Sequence, residues 1–372
     1  MKKLERGYIR YLYSLRKRVV KKDEELQILL ANFRGSTQQR DIEKSTWIIE
    51  DFFRIKNDVK VWLSEDFDWG NKEGIMKAMA DRFDMPSWAL YRLKGRKELS
   101  RELLPYTSVF VYQLKACNLH CPYCYVDERL KDGIEDDSSR FFTIPEIVKA
   151  FLEERRRSPL PLNRIRPSGG EPTLVPEQWV ELLRELEYQD LSKEVHVQSD
   201  TNLTTGHFME ELERSGEIER GLLESVASYR NFSLLTSFKG TDPQNYAENT
   251  GTSVKLAEKL LEEALFSFER YMDAGIDAYP FFYNPNPETL EEFIDRLSET
   301  CGRGIIRRIW IFPLRVYEVT RERLVKMAQE KGIEPETYVR EQEEKWKKNF
   351  ERAEEIMRRI NPMYKRELRI GL

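Results

Sequence analysis

Cys117, Cys121 and Cys124 are the residues whose type and spacing most directly imply chemistry in this chain. The run Cys117-Asn118-Leu119-His120-Cys121-Pro122-Tyr123-Cys124 has CxxxCxxC spacing. Iron-sulfur clusters are held by cysteine thiolates, and three thiolates on one short loop can take three corners of a cubane cluster. The fourth iron is then left without a nearby protein ligand, and an open iron is where a small molecule can coordinate and react. The same cysteines admit a second reading, a zinc site, which needs a fourth ligand such as Cys301, His120 or a distant histidine. Zinc ribbons usually carry paired CxxC spacings, whereas Cys301 lies far away in the turn-like sequence TCGRG.

A second motif, Ser168-Gly169-Gly170-Glu171-Pro172, stands at the end of a predicted strand. Its glycines allow close approach of the backbone to a ligand, and Glu171 offers a carboxylate to a cation. Asp200-Thr201-Asn202 and Ser237-Phe238-Lys239-Gly240 end two further predicted strands, on the edge where barrel active sites are assembled. Read alone, these are polar residues capping strand ends.

Taken together, the CxxxCxxC loop after the first strand, the aromatic Tyr123 before its third cysteine and the GGEP motif resemble the radical S-adenosylmethionine (SAM) superfamily. The resemblance implies one [4Fe-4S] cluster on Cys117, Cys121 and Cys124, with SAM chelating the unique iron. Reductive cleavage of SAM then gives a 5′-deoxyadenosyl radical that takes hydrogen from a substrate. It also implies that Tyr123, Ser168, Gly169, Gly170 and Glu171 border SAM, the GGEP segment holding its ammonium. Asp200, Asn202, Ser237 and Lys239 match positions that bind its ribose and carboxylate, and Phe312 to Leu314 match an edge that contacts adenine. An electron donor such as ferredoxin or flavodoxin is implied as a partner. Within the superfamily, DTN, SFKGTD and Tyr246 to Gly251 (YAENTG) are most similar to the glycyl-radical-enzyme activases. Departures are Leu203 in place of a glycine, Ser237 in place of an aspartate, and no arginine at Tyr279-Pro280. The substrate, whether protein, peptide or metabolite, is not identified by the resemblance.

These residues need elements that bring them together. Short β-branched and aromatic runs at Ser108–Leu114, Arg164–Ser168, Val195–Asp200, Phe232–Phe238, Asp277–Tyr283 and Arg308–Leu314 predict strands alternating with amphipathic helices. Such alternation gives a parallel sheet with right-handed crossovers. The expected fold class is α/β, a partial (β/α)6 open barrel, six strands being too few to close an eight-stranded one. Thr143 and Glu146 read as a capping box before Ile147, and Gly275 as a helix C-cap. Leu256, Leu260, Leu261, Ala264, Leu265 and Phe268 form the apolar stripe of one helix, and Trp346, Phe350, Ala353, Met357 and Ile360 that of another. The expected organisation is a mostly helical extension over 1–105, the barrel over 106–320 and a helical extension over 321–372. Leu26, Leu29, Leu30 and Phe33, then Ile48, Ile49, Phe52 and Phe53, recur near helical spacing in the first of these, with a loop around Asp68 to Pro86.

Of 372 residues, 40% are hydrophobic and 34% charged, the composition of a soluble globular protein, and the net charge of −4 argues against a polyanion binder. The basic runs Arg16–Lys22 and Lys345–Lys348 leave RNA modification as an alternative, although such runs usually face solvent. A non-catalytic metal-binding interaction module is the other alternative. No secretory signal or membrane span is evident, and clustered cysteines suit a reducing compartment, so a cytoplasmic location is expected. Cys301, His196 and His207 lack metal-ligand spacing and are expected to be structural, and one cluster is expected because no further cysteine group is present.

Overall fold

The computed structural model describes residues 6–22, 24–33, 35–44, 49–51, 109–157, 162–362 and 364. The chain opens with helix α1 (Arg6–Val19), which buries Leu12, Leu15, Arg16 and Val19. A hairpin of β1 (Val20–Lys22) and β2 (Leu26–Ala31) follows, then α2 (Thr37–Lys44) and β3 (Ile49–Asp51). Strand β4 (Val109–Leu114) is buried at every position, as a strand covered on both faces must be. It leads through the cysteine loop to β5 (Ser139–Thr143) and α3 (Ile144–Arg157).

Strands and helices then alternate as expected. In order they are β6 (Arg164–Gly169), α4 (Glu177–Tyr188), β7 (His196–Thr201), α5 (Gly206–Ser215) and α6 (Leu222–Ala227). Next come β8 (Phe232–Phe238), α7 (Pro243–Thr250), α8 (Val254–Asp273), β9 (Ala278–Tyr283), α9 (Pro287–Cys301) and β10 (Trp310–Phe312). Two helices, α10 (Glu318–Glu330) and α11 (Pro335–Ile360), complete the described chain. Strands β4, β6, β7, β8, β9 and β10 pair in that order and all run parallel, so the sheet is the α/β arrangement expected. Its terminal strands β1 and β10 are not joined, so the barrel is open.

Local chemistry explains where the helices begin and end. The Glu146 carboxylate accepts from the Thr143 N–H at 2.9 Å while the Glu146 N–H donates to the Thr143 hydroxyl at 3.3 Å, the reciprocal capping box. Gly275, at φ +84°, follows α8, and the Ile276 N–H donates back to Tyr271 O at 2.9 Å. Helix α8 buries Leu260, Leu261, Ala264, Leu265 and Phe268. Trp346, Ala353 and Met357 of α11 are likewise buried, and α11 packs on α9 and β10. At the outer edge of β10, the Ile311 N–H donates to the Tyr364 hydroxyl at 3.0 Å.

Two expectations for the N-terminal region need correction. Leu26, Leu29 and Leu30 belong to strand β2, not a helix, and β2 pairs antiparallel with β5 from Gln27↔Thr143 to Ala31↔Ser139. An apolar run buried on both faces satisfies helical and extended spacing alike, so periodicity alone does not separate the two. Ile49 lies in β3, parallel to β4, while Ile48, Phe52, Phe53 and the loop expected around Asp68 to Pro86 fall outside the described residues. The basic run is not simply a solvated face either. Arg16 is 3% exposed, and its guanidinium donates to Leu174 O at 2.8 Å and to both oxygens of Glu177 at 3.0 and 2.5 Å. Lys22 adds a contact to Glu177 at 2.8 Å. Among the described residues no helix is long and apolar enough to cross a membrane.

Burial alone would raise the Glu177 carboxyl pKa, but Arg16 and Lys22 outweigh it and hold the group below its ordinary value. The stabilisation is therefore complete above the unfolded value of 4.5 and is lost as pH falls through the lower folded value. Arg16→Met leaves the buried carboxylate to Lys22 alone and should cost about 1.5–3 kcal/mol in denaturant titrations at pH 7. The gap between the variant and the wild type should narrow as the titrations are moved to acid. A gap that is constant between pH 7 and pH 3 would show that the ion pair is not its source.

Candidate active site

The cysteine loop starts where β4 ends and is tied down at several points. Lys115 is fully buried, and its ammonium donates to Asp136 at 2.7 Å, Ser138 Oγ at 2.9 Å and Arg129 O at 2.9 Å, fixing the far end of the loop to its beginning. The Cys117 N–H donates to Lys131 O at 2.9 Å and the Cys124 N–H to Cys121 O at 3.0 Å. From α10, Arg323 donates to Cys124 O and Val126 O and pairs with Glu128 at 2.7 Å.

The three thiols line one cavity. A cubane asks for one thiolate at each of three corners. Burial raises the Cys117 thiol to about 12 and also raises Cys121. At Cys124 burial again raises the pKa, but Lys131 and Arg323 outweigh it and hold the thiol below its ordinary value. Lys131 acts on all three thiols and Lys239 on Cys121 and Cys124, so a ring of fixed cations stands where three thiolates would need their charge offset. In ligand type, number and surrounding charge, the residues fit an iron-sulfur cluster.

The GGEP segment is laid directly on this loop. The Gly170 N–H donates to Leu114 O at 3.1 Å, and the Glu171 N–H donates to Ala116 O at 2.6 Å. A Cβ at Gly170 would lie 1.8 Å from Ala116 O, and one at Gly169 would lie 1.8 Å from Gln113 Cγ, with φ at +89°. Neither position accepts a side chain. Glu171 is 1% exposed, and burial raises its pKa against the hydrogen bonds that favour the charged form. Its Oε1 accepts from the Thr173 hydroxyl and from the Thr173 N–H at 3.3 Å, and its Oε2 from the Asn202 N–H at 2.7 Å.

Asn202 extends the connection to the cysteine loop. Its amide donates to Asn118 Oδ1 at 2.8 Å and lies 4.0 Å from the Cys117 sulfur. The Asn118 amide donates in turn to Thr204 Oγ1 at 2.6 Å and to the Tyr8 hydroxyl of α1 at 2.7 Å. Leu203, which replaces the expected glycine, has φ +66° and is fully buried. A left-handed conformation costs a branched residue about 1–2 kcal/mol. The Leu203 N–H donating to Thr201 Oγ1 at 3.0 Å and its carbonyl accepting from Ser267 Oγ at 2.8 Å help hold it there.

The cavity brings together every site residue proposed from the sequence. Cys117, Cys121, Cys124 and Tyr123 line it from the loop, and Ser168, Gly169, Gly170 and Glu171 from the end of β6. Asp200 and Asn202 line it from β7, Ser237 and Lys239 from β8, and Phe312 and Leu314 from β10 and beyond. The Lys239 ammonium donates to Ser237 Oγ at 2.8 Å. Phe281 and Phe312 stand 4.8 Å apart, and Tyr283 lies 5.6 Å from Phe312, forming an aromatic wall.

Several contributors escaped the sequence reading. Arg166 grips Asp200 with two hydrogen bonds of 2.9 and 2.6 Å, and Ser168 Oγ donates to the same carboxylate. The alternation Arg164, Arg166, Ser168 on one face of β6 was the available signal, since arginines on a central strand need a reason. Tyr8 and Arg323 carry no local signal at all. Cys301 and the three histidines are not among the residues that line the cavity. His196 is buried 3.1 Å from Ser233 Oγ, His207 pairs with Glu263 and stacks on Phe266, His120 faces solvent, and Cys301 ends α9.

Three solved structures resemble the chain distantly. The structure of Streptococcus suis SuiB bound to the precursor peptide SuiA matches at 15% identity and a TM-score of 0.36, over 55% of this chain and 38% of that one. SuiB bound to S-adenosylmethionine matches at 15% identity and a TM-score of 0.34, over 52% and 38%. A spore photoproduct lyase mutant with bound AdoMet and dinucleoside spore photoproduct matches at 11% identity and a TM-score of 0.36, over 66% and 73%. The chain thus spans less than half the length of SuiB. No curated protein matches the sequence. A family model does: the one described as Radical SAM superfamily matches residues 112–298, half of the chain, from β4 into α9. Both motifs fall inside that span, and the chain belongs to the radical SAM superfamily of enzymes.

Proposed function

We propose that Cys117, Cys121 and Cys124 hold a single [4Fe-4S] cluster and that the cavity beside them binds SAM for reductive cleavage. When bound, the two supply a 5′-deoxyadenosyl radical able to take hydrogen from a substrate. The observation carrying this reading is the docking of Gly170 and Glu171 onto Leu114 O and Ala116 O, which sets the GGEP backbone beside the cysteine loop. In this reading Gly169, Gly170 and Glu171 receive the SAM ammonium, a carboxylate oxygen retaining room for a further donor. Lys239 and Ser237 face the SAM carboxylate, Asp200 and Asn202 its ribose, and the backbone from Phe312 to Leu314 its adenine. Arg166 positions Asp200 by binding both of its oxygens. Aromatic side chains of β9 and β10 keep water from that wall.

The activase-like pattern of DTN, SFKGTD and YAENTG supports a protein or peptide substrate, with a metabolite as the alternative. An RNA-modifying version is disfavoured by the net charge of −4, and four cations of its basic segments are already paired, Arg16 and Lys22 with Glu177, Lys21 with Glu135 and Lys345 with Glu248. A non-catalytic metal module is separated by anaerobic reconstitution. About four iron and four sulfide per chain, with 5′-deoxyadenosine released under dithionite, support the enzyme reading. Stoichiometric zinc and no SAM cleavage would overturn it.

Two variants test the assignments. Alanine at Cys117, Cys121 or Cys124 should abolish 5′-deoxyadenosine formation, and a wild-type yield from any of them would remove that cysteine from the ligand set. Glu171→Gln turns an amide N–H towards the Asn202 or Thr173 donors, and a lost charge-assisted hydrogen bond is worth about 1.5–3 kcal/mol. SAM affinity measured by equilibrium dialysis should fall about tenfold or more while the cluster absorbance is retained. Unchanged SAM affinity with a lost cluster would make Glu171 a residue of the cysteine loop alone.

A further inference from the structure

Helix α1 has no acidic residue in its 14 positions, and five of them are Arg or Lys. Its burial separates these cations into two groups. Arg16 is buried against Glu177, whereas Arg10, Lys17 and Arg18 are exposed and have no carboxylate partner among the described residues. Helical spacing puts Arg10, Tyr11, Ser14, Lys17 and Arg18 on one face. Nearby acids are already engaged: Glu135 with Lys21, Asp132 and Asp136 with Lys115, and Glu217 with Arg16. The exposed face is therefore a concentrated positive patch on a chain whose net charge is −4.

The helix that carries this patch lies against the cysteine loop. The Tyr8 hydroxyl accepts from Asn118, the neighbour of Cys117, at 2.7 Å. The Tyr11 ring, 36% exposed, stands 6.1 Å from the Tyr8 ring and connects that buried contact to the surface. At the other end of the helix, Arg18 Cδ would lie 3.5 Å from a Cβ at Gly133, two residues after Lys131, whose carbonyl accepts from the Cys117 N–H.

We propose that the outer face of α1, centred on Arg10, Lys17 and Arg18, is the docking surface for a small acidic electron-transfer protein that reduces the cluster. The inference rests on the function proposed above, since a cluster that cleaves SAM must first receive an electron. One electron passes per encounter: the donor's flavin hydroquinone is oxidised to the semiquinone and the cluster is reduced by one electron. Charge complementarity selects the partner, because the face offers cations and aromatic edges with no acid among them. The same charges would suit a polyanion such as RNA, and the test is built to tell the two apart.

The experiment uses the reconstituted full chain, with oxidised flavodoxin as the binding probe, calorimetry for affinity and dithionite as an independent reductant. The triple variant Arg10→Glu, Lys17→Glu, Arg18→Glu should bind flavodoxin about tenfold or more weakly, and its affinity should lose the salt dependence of the wild type. Flavodoxin-driven 5′-deoxyadenosine formation should fall in parallel, while the dithionite-driven yield is unchanged. The corresponding triple glutamine variant should fall between the two, which guards against an effect of charge reversal on folding. Equal flavodoxin affinity in variant and wild type, or no binding by the wild type, overturns the docking face. So does a wild type that binds tRNA in salt-dependent filter assays and loses that binding in the variant while flavodoxin affinity stays the same. Failure of the wild type to release 5′-deoxyadenosine under dithionite overturns the underlying function instead.

Discussion

The carboxylate of Glu171 sits where the ends of three strands meet, and the arrangement of the site follows from its hydrogen bonds. One oxygen accepts from Thr173 within its own turn, and the other accepts from the Asn202 N–H at the end of β7. The residue's own N–H donates to Ala116 O, where β4 gives way to the cysteine loop. A buried acceptor of this kind is costly unless its oxygens are hydrogen-bonded, and here one is bonded from its own turn and the other from the end of β7. The GGEP turn, the DTN turn and the cysteine loop are thereby held in one register. Through Asn202 and Asn118 the connection reaches the Cys117 side of the loop and the first helix of the chain.

Around that centre the loop is supported from both ends of the sequence. Tyr8 on α1 and Arg323 on α10 contact it from opposite termini, at Asn118 and at the carbonyls of Cys124 and Val126. The cations that face the three thiols are Lys131 from the loop's own return, Lys239 just beyond β8 and Arg323 from α10. The eight-residue cysteine loop thus depends on side chains spread over more than three hundred positions. The helices outside the family match are part of the same structure that positions the site.

Much of this was legible in the sequence, for identifiable reasons. Parallel strands buried on both faces are short apolar runs between turns, and all six were found within a few residues of their ends, Phe232–Phe238 without error. The capping box at Thr143 and Glu146 is a local pattern with a local cause. The cavity residues were found because they sit at strand ends next to motif glycines and cysteines. What was not legible depends on partners far apart in the chain. Arg166 with Asp200, Arg16 with Glu177 and Arg323 with Cys124 are separated by 34, 161 and 199 positions, and spacing carries no trace of such pairs. The strand at Leu26–Ala31 was misread because its apolar residues fit either period, and the choice is made by β5, more than a hundred residues later.

An open barrel has two free edges, and the one at β10 carries a further consequence. Strand β10 is only three residues long, and its outward Ile311 N–H is already occupied by the Tyr364 hydroxyl. An unoccupied, flat edge invites another chain to add a strand, the route by which sheets stack into aggregates. Shortness and a single phenol together remove that invitation, while α11 lies across the neighbouring surface. Tyr364 therefore stands, among the described residues, where the backbone of an added strand would begin to pair with β10.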